Sequence, residues 1–400
     1  MAITDIEVEL TDEDRDVQST AHRFAAEVLR PTGRELDRMV DPADVIAQDS
    51  PLWDAFRRYR ELGLDAISQD PSLDPMTQAR LGCIVNEELS WGDVGLAISL
   101  GLSQFHPPFV EMSGDSELIE RFCSPQRPTI GCWALTEPDH GSDTVGSTEA
   151  YFSDRARRPN CIARQDGSDF VISGQKAAWV SNGSIADLAV VFCAFDDGSG
   201  TLGGSVFVVP MDLPGVDRPP PLDKLGQRSL NQGEIFFNDV RVPASHRVVD
   251  PELYPLALEG MLAFANAAMG QLFVGVARSA YELALEYSKD RVQGGRPIFE
   301  HQSVRGRLFA MFTQTEAARA LARRVAAHNA ASGPVLQYSI ATKVFCTQTA
   351  FDVATAALQI FGGNGLTREY PIEKILRDAR ASLIEDGCNE VLSLVGASKL

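Results

Sequence analysis

Positive charge is scarce in this sequence of 400 residues: 36 Lys and Arg stand against 55 Asp and Glu, the formal charge is −19, and only six of the cations are lysines. So acidic a chain lacks the basic surface that a phosphate backbone or an anionic membrane requires, which argues against a nonspecific nucleic-acid or membrane binder. Cysteine is sparse and unpatterned. Cys83, Cys123, Cys132, Cys161, Cys193, Cys346 and Cys388 are odd in number and show no CxxC spacing; this favours a reducing compartment and no structural metal. Long apolar runs are missing too. The stretch Leu262 to Ala277 is interrupted by Asn266 and Gln271 and falls short of the ~20 residues of a membrane span, so a buried helix is expected. The N-terminal MAITDIEVELTDEDRD has neither the basic nor the apolar region of a secretory signal, and a cytoplasmic protein is expected. The last residues, Ser398-Lys399-Leu400, spell a peroxisomal address. The arginine-for-lysine bias is common in GC-rich bacterial genomes and favours an accidental tripeptide. Finally, no Ser-His-Asp order, HExxH helix, Walker loop or GxGxxG occurs, so the common motif-defined enzyme classes find no support.

What is present is an ordinary globular composition, 44% hydrophobic and 23% charged, with enough chain for two or three domains around a large core. From Thr11 to about Cys123 apolar residues recur at helical spacing, as in Phe56, Tyr59, Leu62 and Leu81, Ile84, Val85, Leu89. From Thr129 short apolar runs alternate with Gly, Asp and Asn clusters. Phe170 to Ile172, Leu188 to Phe195, Val206 to Val209 and Ile235 to Val242 read as strands, Gly198 to Gly204 as a hairpin loop, and Pro214 to Pro221 as an extended connection. Helical periodicity returns from Pro251, broken at Gly294-Gly295, Gly333-Pro334 and Gly362 to Gly365. The expected class is α+β: an N-terminal helical domain (1–128), a central β domain (129–245) and a C-terminal helical region (246–400). The last helices are apolar on more than one face, which points to oligomerisation through the final third.

Three polar, glycine-containing segments stand beside strand or helix ends: WALTEPDHGSD (Trp133 to Asp143), WVSNG (Trp179 to Gly183), and QIFGGNG followed by RDARASLIEDG, ending at Gly387. Short donors such as Thr136 and Ser181 beside an aromatic such as Trp179 suit a large planar cofactor with a polar rim, yet each segment serves equally well as a turn or cap.

The ordered set WALTEPDHGSD, GQKAAWVSNGSIAD, LDKLGQRSLNQGEIFFNDVRVP, RVQGGRPIFEHQ and QIFGGNGLTREYPIEKILRDAR resembles the acyl-CoA dehydrogenase flavoproteins over nearly the whole chain. The resemblance implies an N-terminal helical domain, a β-barrel-like domain and a C-terminal four-helix bundle, usually a homotetramer with one FAD per subunit. It implies that Trp133, Leu135, Thr136, Gly141 and Ser142 run along the flavin, and that Trp179, Val180 and Ser181 flank its ring, with Ser181 where the family more often has Thr. Arg291, Gln302, Gln359, Gly362 and Gly363 would hold the pyrophosphate and adenosine end, partly across a subunit interface. An acyl-CoA would be the substrate, lined by Ser142, Asn266 and Gly387, and an electron-transfer flavoprotein the acceptor.

The same resemblance puts Asp386-Gly387-Cys388 at the family's Glu-Gly-Thr, making Asp386 the base that takes the α proton while the β hydrogen leaves as hydride, with Glu385 as the fallback and Cys388 beside the cofactor. The alternative base position, on an earlier helix, is occupied by Ala265. Asn266 replaces a common Arg. A carboxylate one methylene shorter suggests a branched or cyclic acyl group. Two alternatives share the departure: a nitroalkane-oxidase-like flavoprotein, since those enzymes use an aspartate base, and a dehydrogenase of carrier-protein-bound acyl groups, which a charge of −19 disfavours because carrier proteins are acidic.

Overall fold

The computed structural model describes residues 10–67, 70, 72–146, 158–198 and 202–400. Seven helices come first: α1 (Asp12–Phe24), α2 (Arg30–Arg38), α3 (Leu52–Glu61), α4 (Pro75–Gly92), α5 (Val94–Leu102), α6 (Pro107–Met112) and α7 (Ser116–Phe122). Their starts are written in the sequence. Thr11 and Asp14 form a reciprocal capping box on α1, and Asp74, Asp93 and Asp115 cap α4, α5 and α7 by accepting backbone N–H groups.

An eight-stranded sheet follows: β1 (Gly131–Ala134), β2 (Ile162–Asp166), β3 (Asp169–Ser181), β4 (Leu188–Asp196), β5 (Leu202–Pro210), β6 (Val216–Asp217), β7 (Gln232–Val242) and β8 (Arg247–Val249). Its order is β6-β7-β3-β2-β4-β5-β8, with β1 added in parallel to β4, and it curls into a half-barrel. Strand β4 is buried along almost its whole length, which is why it reads as an unbroken apolar run rather than an alternating one. Two expectations need correction here. Gly203 and Gly204 pair with Phe195 and Ala194 inside the β4–β5 ladder, so the hairpin loop is shorter than Gly198 to Gly204; the rest of that loop lies outside the described residues. Within the proline-rich segment, Val216 and Asp217 form the edge strand β6, because edge pairing needs only one side of the backbone.

The last third holds α8 (Tyr254–Asp290), a small β9–β10 hairpin (Val292–Gln293, Arg296–Pro297), α9 (Gln302–Ser332), α10 (Leu336–Phe361), α11 (Ile372–Ala381) and α12 (Asn389–Ala397). Helices α8 and α10 are long and apolar enough to cross a membrane, but 72% and 50% of their most apolar windows are buried within the protein. They pack closely because Gly270 meets Thr342: a Cβ there would lie 2.3 Å from its methyl carbon. One continuous core joins α1–α5 to α8, α10 and α11, so the N-terminal helices and the C-terminal bundle share their apolar interior.

Asp93 ties the three regions together at one point. Its carboxylate caps Leu96, accepts the Ser229 hydroxyl at 2.6 Å and pairs with Lys374 of α11 at 2.6 Å. Lys374 in turn bridges to Asp378, 2.6 Å away. This buried chain fixes the end of α11, from which the next loop departs.

Candidate active site

Trp133 lies within β1, paired with Val190 of β4, and past Ala134 the chain runs alongside β3. Ala177 donates its N–H to the Thr136 carbonyl at 3.0 Å, and the Thr136 hydroxyl donates to the Ala177 carbonyl at 3.2 Å. Glu137 turns inward instead. It is fully buried with Lys176 at 2.6 Å and accepts the N–H groups of Asn160 and Cys161 at 2.5 and 3.1 Å, while Lys176 also donates to the Leu135 carbonyl at 2.9 Å. The glutamate of the TEP sequence is thus a structural anchor that pins Leu135 and Thr136 against β3. Past Gly141, Ser142 opens a short 3-10 turn, and its hydroxyl accepts the Cys388 N–H at 2.9 Å.

Opposite this segment, β3 bulges. Lys176 pairs with Ile235 and Val180 with Gly233, so residues 177–179 stand against a single residue of β7. A bulge re-aims side chains; Val180 stays buried while Trp179 is 59% exposed. Ser181 accepts a hydrogen bond from Gln232 at 3.0 Å, and Gln232 accepts one from Lys224 at 2.7 Å. Among the described residues the buried indole N–H of Trp133 has no partner. An uncovered aromatic face, an unpaired buried donor and two hydroxyls suit a planar heteroaromatic with a polar rim, and FAD fits these residues.

Between α11 and α12 the loop carries Glu385, Asp386, Gly387 and Cys388. The two carboxylates are held differently. Glu385 accepts the Gln227 side-chain N–H at 2.9 Å; burial pushes it up to about 7, against the pull of that bond and of Lys224. The Asp386 carboxylate carries no hydrogen bond among the described residues; burial raises it and the Lys343 charge opposes the rise. Asp386 has φ +50° and Gly387 φ +94°. A left-handed aspartate is uncommon, and it is tolerated here because the loop is clamped on both sides. Lys343 of α10, fully buried, donates to the Gly387 carbonyl and to Asn389 Oδ1, both at 2.8 Å. Gln227, itself at φ +50°, donates its backbone N–H to Asp378 at 2.5 Å.

Asn266 is fully buried in α8. Its amide N–H bonds back to the Leu262 carbonyl at 2.9 Å, and its oxygen has no partner among the described residues. The remaining candidates lie elsewhere. Tyr287 stacks on Phe361 with ring centres 4.1 Å apart, which brings Arg291 at the end of α8 beside Gln359, Gly362 and Gly363 at the end of α10, with Gln302 starting α9 nearby. Trp133 sits at the other end of α8, through Phe192 to Tyr254 by ring contacts of 6.0 and 5.8 Å. Helix α8 between these ends has 37 residues, ~55 Å at the helical rise. Within one chain, therefore, Arg291, Gln302, Gln359, Gly362 and Gly363 lie at the opposite end of α8 from Trp133.

Sequence reasoning missed Lys343, Asn389, Gln227, Lys224 and Gln232 as members of the site. The last three stand in the block LDKLGQRSLNQGEIFFNDVRVP, whose polar start was the one available signal; Lys343 and Asn389 carried none.

The fold and the family it shares define an oxidoreductase that uses FAD. The chain belongs to the acyl-CoA dehydrogenase family. Residues 132–240 match the family's middle domain and residues 256–400 its C-terminal domain. The chain is 30% identical to benzylmalonyl-CoA dehydrogenase of Aromatoleum aromaticum over 99% of its own length and 100% of the relative's. It is 28% identical to cyclohexane-1-carbonyl-CoA dehydrogenase of Geobacter metallireducens, covering 98% of each. The structure of butyryl-CoA dehydrogenase from Megasphaera elsdenii superposes with a TM-score of 0.82 at 28% identity, over 98% of this chain and 99% of that one.

Proposed function

We propose that the protein removes the α and β hydrogens of a branched or cyclic acyl-CoA, with Asp386 as the base that takes the α proton. One observation carries the assignment: of two adjacent half-buried carboxylates, Glu385 is held by Gln227, whereas Asp386 has no hydrogen bond among the described residues and lies next to a buried ammonium group. A general base must present an unpaired oxygen to its proton. Bound FAD supplies the hydride acceptor. The protein's own part is positional. Ser142 fastens the loop to the Trp133–Ser142 segment through Cys388, Trp179 and Ser181 wall the cleft, and Gln227 holds Glu385 aside.

The side chain of Asp is ~1.5 Å shorter than that of Glu, so the acyl α carbon has to approach the loop more closely. Relatives named for a benzylmalonyl and a cyclohexane-1-carbonyl substrate support a bulky acyl group. Electron-transfer flavoprotein is the proposed acceptor. A homotetramer is the proposed assembly, supported by exposed Phe309 and Leu366 and by the separation of the two cofactor-binding sets along α8.

Anaerobic flavin bleaching with butyryl-CoA and cyclohexane-1-carbonyl-CoA tests this reading. Wild type is expected to prefer the cyclic substrate. Asp386→Asn should slow bleaching by about 10²–10⁴-fold, the usual worth of a positioned base, with Glu385→Gln much less affected. An Asp386→Asn variant within about tenfold of wild type would overturn the base. Peroxide formation with nitroethane and no reaction with either thioester would replace the proposal with the nitroalkane-oxidase alternative.

A further inference from the structure

We infer that Lys343 is a positioning residue for the reaction: it fixes the loop that carries Asp386 and supplies the positive charge beside which that carboxylate ionises. The inference rests on the reading of Asp386 as the base and assigns a second group to the same step. Lys343 lies on α10 and reaches a loop 44 residues away in sequence. Burying an ammonium group completely is costly unless something is gained from its charge. Two of its three donors are used, on the Gly387 carbonyl and on Asn389 Oδ1. Asn389 is locked in turn, donating to the Thr347 hydroxyl at 3.1 Å. The ammonium thus holds the residue after Asp386 and the first residue of α12, and these two contacts define the left-handed turn at 386 and 387.

The charged groups around the loop come from four places. On the loop and α12 are Glu385, Asp386 and Glu390, with the thiol of Cys388 between them; α10 supplies Lys343; α11 supplies Asp378, neutralised by Lys374; the segment before β7 supplies Lys224, whose charge falls on Glu385 and Asp378. On α8, Asn266 is neutral and its amide is turned back to Leu262. Among the described residues, Lys343 is the cation whose field reaches Asp386. Burial draws Lys343 down to about 8, and Asp386 is foremost among the groups that resist this, so each holds the other in its charged form. At neutral pH the ammonium form still predominates.

The test is the pH dependence of flavin bleaching in the holoenzyme with cyclohexane-1-carbonyl-CoA, and with butyryl-CoA in parallel. Removing an adjacent opposite charge typically raises a carboxylate by about one unit or more. Lys343→Met should therefore move the acidic limb of kcat/KM upward by about one pH unit or more, so that activity at about pH 6 falls about tenfold and the deficit narrows towards about pH 9. Lys343→Arg keeps the charge and should leave the limb within about half a unit of wild type, even if the loop is less well held and kcat falls at every pH. A limb that does not move in Lys343→Met, or moves equally in Lys343→Arg, overturns the inference. If Lys343→Met does not fold, Lys343→Gln takes its place in the same assay, with the same shift expected and an unmoved limb again counting against the inference. Asp386→Asn separates the two readings. An active Asp386→Asn refutes the base itself; an inactive Asp386→Asn with an unmoved limb in Lys343→Met leaves the base standing and removes Lys343 alone.

Discussion

Lys176→Met tests whether the TEP segment is held by a buried charge pair. Lys176 and Glu137 are both fully buried and 2.6 Å apart. Among the described residues, deleting the lysine leaves Glu137 with only the N–H groups of Asn160 and Cys161, and strips the Leu135 carbonyl of its side-chain donor. Breaking a buried pair from one side costs about 3–5 kcal/mol, because the remaining charge is uncompensated. The orphaned carbonyl adds about 1–3 kcal/mol. The expected loss is thus several kcal/mol, concentrated in the segment from Trp133 to Ser142. Two measurements follow it: the urea midpoint of the sheet region, and FAD retention on gel filtration, both of which should drop. The double variant Glu137→Gln with Lys176→Met keeps an acceptor for the two N–H groups and removes the stranded charge, so it should recover at least half the loss. The pH sign is also fixed. Burial pulls the Lys176 ammonium down, but Glu137 more than offsets this and holds it above its ordinary value. Its contribution is therefore complete below about pH 10 and fades only as pH rises beyond that. Between about pH 6 and 9 the gap between wild type and Lys176→Met should stay flat. A single variant within about 1 kcal/mol of wild type, or a double variant no better than the single, would refute the charge pair as the anchor.

Two further outcomes are expected. Gly387 has φ +94°, and a Cβ there would lie 3.0 Å from Leu392, so Gly387→Ala should cost about 1–3 kcal/mol and lower kcat by misplacing Asp386; wild-type kcat in a well-folded Gly387→Ala would count against the turn geometry. Glu385, raised to about 7 by burial, is bound to a proton more tightly in the folded chain than in the unfolded one. Its contribution to stability is therefore complete below about pH 4.5 and lost as pH climbs to about 7, worth about 3 kcal/mol at one unit per 1.36 kcal/mol. Glu385→Gln should accordingly gain on wild type in urea midpoint between about pH 5 and pH 8, and a constant difference across that range would show that Glu385 is not buried as a neutral acid.

The helix–sheet–helix order was legible in the sequence because it depends on periodicity, and each expected strand lies within an observed one. The sequence overstates the hairpin loop at Gly198 to Gly204 because glycine marks a turn and a tight ladder equally well: a Cβ on Gly203 would lie 2.9 Å from the Pro251 ring. The cleft was half legible. The residues expected to meet the cofactor, Trp179 and Ser181 among them, sit in compact segments with an unusual composition. The residues that set the state of Asp386 do not. Lys343 occupies an apolar helical stretch, where it reads as one polar interruption, and its purpose depends on how α10 is rotated against a loop far along the chain.

Long-range contacts of this kind also separate Glu385 from Asp386, which composition could not. Two adjacent acids after an RDA sequence are equivalent as letters. Their difference arises when the chain turns left-handed at Asp386 and Gly387, sending one carboxylate to Gln227 and leaving the other beside Lys343. A one-residue shift of the loop exchanges these roles only if Gln227 and Lys343 exchange partners as well. Gln227 is fixed through its backbone to Asp378, and Lys343 through Asn389 to α12. Both clamps would have to break together. The variant Gln227→Leu therefore provides a sharp discriminator: it frees Glu385 without touching Asp386, and an unchanged acidic limb in the pH profile is the expected result. A profile that shifts with Gln227→Leu and not with Lys343→Met would make Glu385 the base.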